Sequence, residues 1–230
     1  MKILQVKDLY KSFDDKQIIK GVSFDVYEGR IVGLLGKNGS GKSTIIKMIN
    51  DILTIDSGEI LVSGKKIGPE TKALISYLPE RSYLDKSKSI SQTLTFFKDF
   101  YADFDIEKAE KLLQEFELDK NSKLSKISKG MLEKLSLAIT MSRKAKLYVL
   151  DEPLGGVDPA TRDKILKTIL SNFDENSSLF ITTHLVSDVE KILDEVIIID
   201  NGEIILHGEA DKIREEENAS INEVFIRRVQ

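Results

Sequence analysis

The sequence contains no cysteine, 4 prolines and 2 histidines. Without cysteine the chain has no thiol nucleophile, no thiolate ligands for zinc or an iron–sulfur cluster, and no disulfide framework, and it suits a reducing compartment. His184 and His207 are too few to build a histidine-rich metal centre. No apolar run approaches the ~18–20 residues of a membrane-spanning helix. The runs at residues 31–35 and 196–199 have strand length instead. The N-terminus reaches Asp8 before an apolar stretch develops, so no secretory signal is expected. Charge of one sign is not in excess: 34 Lys and Arg against 38 Asp and Glu give a net charge of -4. With no strong basic field, no nucleic-acid partner is expected. Low-complexity linkers, fixed-period repeats and long heptad runs are missing too.

What remains is a chain of 230 residues, 41% hydrophobic and 31% charged, with enough apolar material for one large α/β unit. Short strands are predicted at residues 3–6, 18–26, 31–35 and 59–62, with a turn at Glu28-Gly29 and a helix over 43–50. The run at 31–35 is short, partly β-branched and followed by glycine, as a buried parallel strand is. From about residue 89 to 142 the pattern turns helical; Ile106, Ala109, Leu112, Leu113 and Phe116 keep three- and four-residue spacing. Strands resume at 147–150, 178–182 and 195–200, with helices expected at 159–174 and 185–193. Strand–helix alternation predicts a mostly parallel sheet. Asn201-Gly202 between two apolar runs predicts a two-residue hairpin turn.

The strand at 31–35 runs into Gly36-Lys37-Asn38-Gly39-Ser40-Gly41-Lys42-Ser43-Thr44, which matches G-x-x-x-x-G-K-[ST] in its strand–loop–helix context. Glycines let backbone N–H groups turn inward on phosphates, and the following helix directs its positive end at them. In this pattern Lys42 bridges the β- and γ-phosphates of a nucleotide and Ser43 ligates Mg²⁺. A second signal is the apolar strand ending in Asp151-Glu152-Pro153. It delivers two carboxylates to the carboxyl edge of the sheet, where ligands bind in open α/β folds. Asp151 suits a water-mediated Mg²⁺ contact, and Glu152 is the candidate base for an attacking water. The fold class is a P-loop NTPase of α/β type, with an N-terminal antiparallel β subdomain and a helical subdomain inserted at about 85–142. GTPases, kinases and recombinases all fit these two signals.

The intervening sequence narrows the choice. Ile127-Ser128-Lys129-Gly130-Met131 and the helical pattern after it resemble the Leu-Ser-Gly-Gly-Gln signature of ATP-binding cassette (ABC) ATPases. The resemblance spans nearly the whole chain in the family's order. It implies that Phe13 stacks on adenine, that Glu80 stands at the Q-loop position near Mg²⁺, that Gly155-Gly156-Val157-Asp158 forms the D-loop, and that His184 is the switch histidine. It further implies ATP and Mg²⁺ as ligands. It implies head-to-tail closure of two cassettes, the same chain twice or this chain with a paralogue. Ser128, Lys129, Gly130 and Asp158 of one cassette would then meet the ATP on the phosphate loop of the other.

Three departures stand out: Lys129 for the first signature glycine, Met131 for the glutamine, and Glu80 for the Q-loop glutamine. The combination is similar to a bacterial export branch of the bacitracin-resistance type. The implied function is the ATP-hydrolysing subunit of an exporter. Its permease would be a separate chain, and the cassette would lie in the cytoplasm on the inner face of the membrane. A soluble cassette acting on a protein scaffold, as in iron–sulfur assembly, is the alternative. The aromatic series Phe96, Phe97, Phe100, Tyr101 and Phe104 reads mainly as a core stripe, with any exposed member a partner surface. The tail, about 211–230, reads as a solvated helix face followed by a short docking helix carrying Ile221, Val224 and Phe225.

Overall fold

A computed structural model describes residues 1–173 and 176–229. The chain opens with β1 (Lys2–Phe13) and β2 (Lys16–Tyr27), turning at Asp14 with φ 49. β3 (Ile31–Leu35) follows and leads through a glycine-rich loop into α1 (Lys42–Ile49). β4 (Ser57–Val62), β5 (Lys65–Lys66), α2 (Pro69–Leu74) and β6 (Ile75–Leu78) come next. Then come three helices, α3 (Ile90–Phe100), α4 (Ile106–Glu115) and α5 (Lys129–Met141), started by Ser89, Asp105 and Ser128 accepting from Gln92, Lys108 and Met131 amides. Each cap satisfies an amide that the helix itself leaves free. The rest alternates: β7 (Leu147–Asp151), α6 (Pro159–Asn172), β8 (Ser178–Thr183), α7 (Val186–Val189), β9 (Glu195–Asp200) and β10 (Glu203–Glu209). α8 (Ala210–Glu217) and α9 (Ile221–Arg228) end it.

Two sheets result. One is four-stranded and antiparallel, in the order β2-β1-β4-β5; the other is six-stranded, β10-β9-β3-β8-β7-β6, and parallel except for β10. Period-two alternation sends the central strands into two cores. Val32, Leu34, Val149, Phe180 and Ile197 pack with α1 and the antiparallel sheet, while Ile31, Leu35, Leu150, Ile181 and Ile198 pack with helical residues such as Leu113, Leu137 and Val224. Gly33 is small because a Cβ there would lie 2.6 Å from Leu193 Cδ1. The parallel order sets the carboxyl ends of β3, β8, β7 and β6 side by side, and the site is built there.

The structure changes some expected boundaries. The strands at 3–6 and 18–26 are parts of two 12-residue strands. Asp8 has φ 44 and the β1–β2 register shifts between Val6 and Leu9, which breaks the period that would have revealed the continuation. The helix expected at 185–193 is the single turn α7. Asp194 is drawn to β3 instead: its carboxylate accepts from Ile31 N at 2.7 Å, and its N–H donates to Ile31 O at 2.9 Å. α6 ends at Asn172, and the expected terminus at Asp174 lies outside the described residues. In the aromatic series Phe97 and Phe104 are buried, whereas Phe96 and Phe100 are 61% and 67% exposed. Ile221, Val224 and Phe225 are buried, as a docking helix requires.

Candidate active site

The loop between β3 and α1 is shaped by close contacts. A Cβ on Gly36 would lie 2.4 Å from Ser40 Oγ and 2.6 Å from Ile199 O. Gly41 has φ 112, and a Cβ there would meet Ile19 Cδ1 at 2.6 Å. α1 begins with no side-chain cap and no acid in its first turn. A helix start of this kind, with backbone amides left without a side-chain cap, suits an anion. Ser40 Oγ is buried without a hydrogen-bond partner, an unmet polar group at the same place. Lys42 Nζ donates to Gly36 O at 2.8 Å and Lys37 O at 3.2 Å, and it lies 3.4 Å from Glu152 Oε1.

The acids arrive from β7. Asp151 is 2% exposed, and its Oδ1 accepts from Thr182 Oγ1 at 2.6 Å and Ser43 Oγ at 3.3 Å. Burial pushes the Asp151 carboxyl above the ordinary range; the two hydroxyls oppose this, and the neighbouring Glu80 and Glu152 charges add to it. Glu152 has φ 51, a left-handed conformation uncommon for a side chain of its length. Its N–H donates to Thr182 O at 3.0 Å. Its second carboxylate oxygen lies 3.0 Å from His184 Nδ1. Lys42, Glu152 and His184 therefore form a continuous polar chain across the ends of three strands.

Phe13, Asn38, Gly39, Gly41, Lys42, Ser43, Thr44, Glu80, Lys129, Glu152 and His184 all line one cleft of about 940 Å³. Phe13 is 46% exposed at its rim, with Lys11 Nζ 5.6 Å from the ring centroid. Ser128, Gly130 and Asp158 are not among its lining residues. Ser128 caps α5, and Asp158 caps α6 by accepting from Thr161 N at 3.1 Å. Lys129 is an exposed cation 3.6 Å from Glu133 Oε1, and a Cβ on Gly156 would lie 2.7 Å from its Nζ. Burial raises the Glu133 carboxyl, and Lys129 opposes the rise. Among the described residues no group of three His, Cys, Asp or Glu side chains could hold a metal ion. Ser43 and Asp151 nevertheless offer hard oxygen donors beside the phosphate-type loop, as Mg²⁺ shared with phosphates requires.

Thr182 is a site residue that sequence reasoning missed. Its position follows from parallel pairing of Asp151 with Thr182, a cross-strand register that no local motif carries.

A parallel sheet with a glycine-rich loop at one strand end and a buried acid two strands away defines a P-loop nucleotide hydrolase. The chain belongs to the ABC transporter family, whose model matches residues 19–155, more than half of it. It is 34% identical over 214 residues to the linearmycin resistance ATP-binding protein LnrL of Bacillus subtilis (strain 168), covering 90% of this chain and 69% of that one. It is 30% identical over 224 residues to Nod factor export ATP-binding protein I of Rhizobium sp. (strain N33), covering 94% and 74%. A solved ATP-binding subunit of an ABC transporter superposes with a TM-score of 0.89 at 29% identity, covering 98% of both chains. The chain is thus an ATP-binding subunit of an ABC transporter, and its family hydrolyses ATP, dimerises and works with membrane permease components. No described helix is long and apolar enough to cross a membrane.

Proposed function

We propose that this chain, read as one cassette with a helical subdomain at about 85–142 and a helical tail at about 211–230, drives an exporter whose permease is a separate polypeptide. The observation that carries the catalytic part is the Lys42–Glu152–His184 chain beside Asp151. The phosphate loop and the α1 amides receive the triphosphate, and Ser40 Oγ gains a partner. Lys42 exchanges Glu152 for phosphate oxygens, which releases the Glu152 carboxylate. Glu152 then accepts a proton from the water attacking the γ-phosphorus, the bond to the ADP oxygen breaks, and His184 orients Glu152 and the departing phosphate. Ser43 and Asp151 would hold Mg²⁺, with Glu80 nearby; when bound, that ion neutralises phosphate charge. Phe13 offers its exposed ring to adenine.

Ser128, Lys129, Gly130 and Asp158 act on the ATP of a second cassette, a copy of this chain or a paralogue. The exposed Lys129 at the Ser128-capped start of α5 supports this. Two helix ends then flank one triphosphate, and hydrolysis removes the shared anion. A second cleft of about 530 Å³, lined by Ile52, Tyr83, Phe97, Tyr101 and Arg143, lies beside exposed Phe96 and Phe100, whose rings stack at 5.9 Å. This apolar patch suits a cytoplasmic segment of the permease. Export is supported by the names of the relatives, one concerned with linearmycin resistance and one with Nod factor export. The cassette then sits on the cytoplasmic face of the cell membrane. Pull-down of the full chain from solubilised membranes tests the reading. Recovery of a polytopic membrane protein is expected, and recovery of soluble scaffold proteins alone would overturn it.

A further inference from the structure

The turn between β9 and β10 touches the nucleotide cleft from outside. Asn201 has φ 47 and Gly202 φ 83, the two-residue turn expected for a twisted hairpin. Gly202 N donates to Ser40 O at 3.1 Å, and Gly202 O accepts from Lys20 N at 3.0 Å. A Cβ on Gly202 would lie 2.1 Å from Ile18 O, and Ile18 lines the cleft on the side of Phe13 and Lys16. The residue before the turn's strand end adds a second contact, since Ile199 O sits 2.6 Å from where a Gly36 Cβ would be. One turn therefore grips both the phosphate loop and the strand beside the base.

The planar trans peptide gives this grip a consequence. The C=O of Ser40 and the N–H of Gly41 point in opposite directions, so fixing the carbonyl toward Gly202 fixes the amide away from it. We propose that Gly202 is a positioning residue for nucleotide binding: its N–H sets the Ser40–Gly41 peptide of the phosphate loop, and its lack of a side chain lets Ile18 close the base side of the same cleft. The inference rests on placing the nucleotide in this cleft. Lys42→Ala reports on that placement separately, because it removes a loop contact without touching the turn.

The test is nucleotide affinity and amide exchange in the full chain. Gly202→Ala is compared with Gly64→Ala, a matched control: Gly64 also follows a positive-φ residue in a two-residue turn, with φ 75, but a Cβ there meets nothing within 4 Å. Both variants carry the backbone strain of a side chain at positive φ, and only Gly202→Ala touches the cleft. Gly202→Ala is expected to weaken ATP and ADP binding by about five- to tenfold, the size of a lost hydrogen bond with its geometry. It should also raise KM more than kcat and speed amide exchange at residues 40–43. Gly64→Ala should stay within about twofold of the parent. If Gly202→Ala does not fold, an ester in place of the 201–202 peptide removes the N–H alone, and a loss of about three- to fivefold is expected. Equal affinities and loop exchange rates in the Gly202 and Gly64 variants, or an ester variant that binds like the parent, would overturn the proposal.

Discussion

Lys42, Glu152 and Asp151 show how few atoms set the chemistry of the cleft. Asp151 is the most confined: two hydroxyls hold one oxygen while burial and two neighbouring carboxylates oppose its charge. Glu80 is one of those neighbours and is exposed, so solvent discounts its influence. Glu80→Gln is expected to raise the Mg²⁺ concentration for half-maximal ATPase activity by about two- to fivefold. A Mg²⁺ titration that superimposes on the parent would contradict this. The loop and acid residues were legible in sequence because short local patterns carry their geometry. Thr182 was not, since its value lies in the register of β8 on β7. Gly202 was legible as a turn residue, but its contacts with Ser40 and Ile18 join segments far apart in the chain.

At the scale of elements, the three helices between β6 and β7 depend on their starts. Asp105 caps α4 by accepting from Lys108 N at 2.9 Å. That amide chiefly, with help from the charges of Lys144 and Lys108, holds the Asp105 carboxyl below its ordinary value of 3.8. A lowered carboxylate contributes stability that is fully present above the ordinary value and lost as pH falls through the lower folded one. Asp105→Ala should therefore cost about 1 kcal/mol at pH 7. Its Tm should fall by about 2–4 °C, a deficit that narrows in acid as the parent loses the cap. An equal deficit at pH 7 and at pH 3 in thermal unfolding would contradict that assignment. Periodicity revealed α4 because one face of it is buried, whereas the central parallel strands, buried on both faces, showed as short continuous apolar runs. Periodicity failed at α7, where the pull of Asp194 toward β3 ends the helix after one turn, and along β1, where a bulge interrupts the alternation.

At the scale of the whole molecule, the cleft is one half of the proposed composite site. The chain supplies a phosphate loop with its acids and, separately, the Ser128-capped start of α5, and in the proposed cycle a second cassette unites them across ATP. Glu152 stands at the centre of that cycle, being joined to Lys42 before nucleotide binds and serving as base afterwards. Replacing it with glutamine keeps the shape of the site and removes the base. The most direct test is gel filtration of Glu152→Gln with ATP and Mg²⁺, alone and with its partner cassette. A stable dimer that reverts to monomer with ADP is expected; a persistent monomer under saturating ATP, with every candidate partner supplied, would contradict closure across ATP.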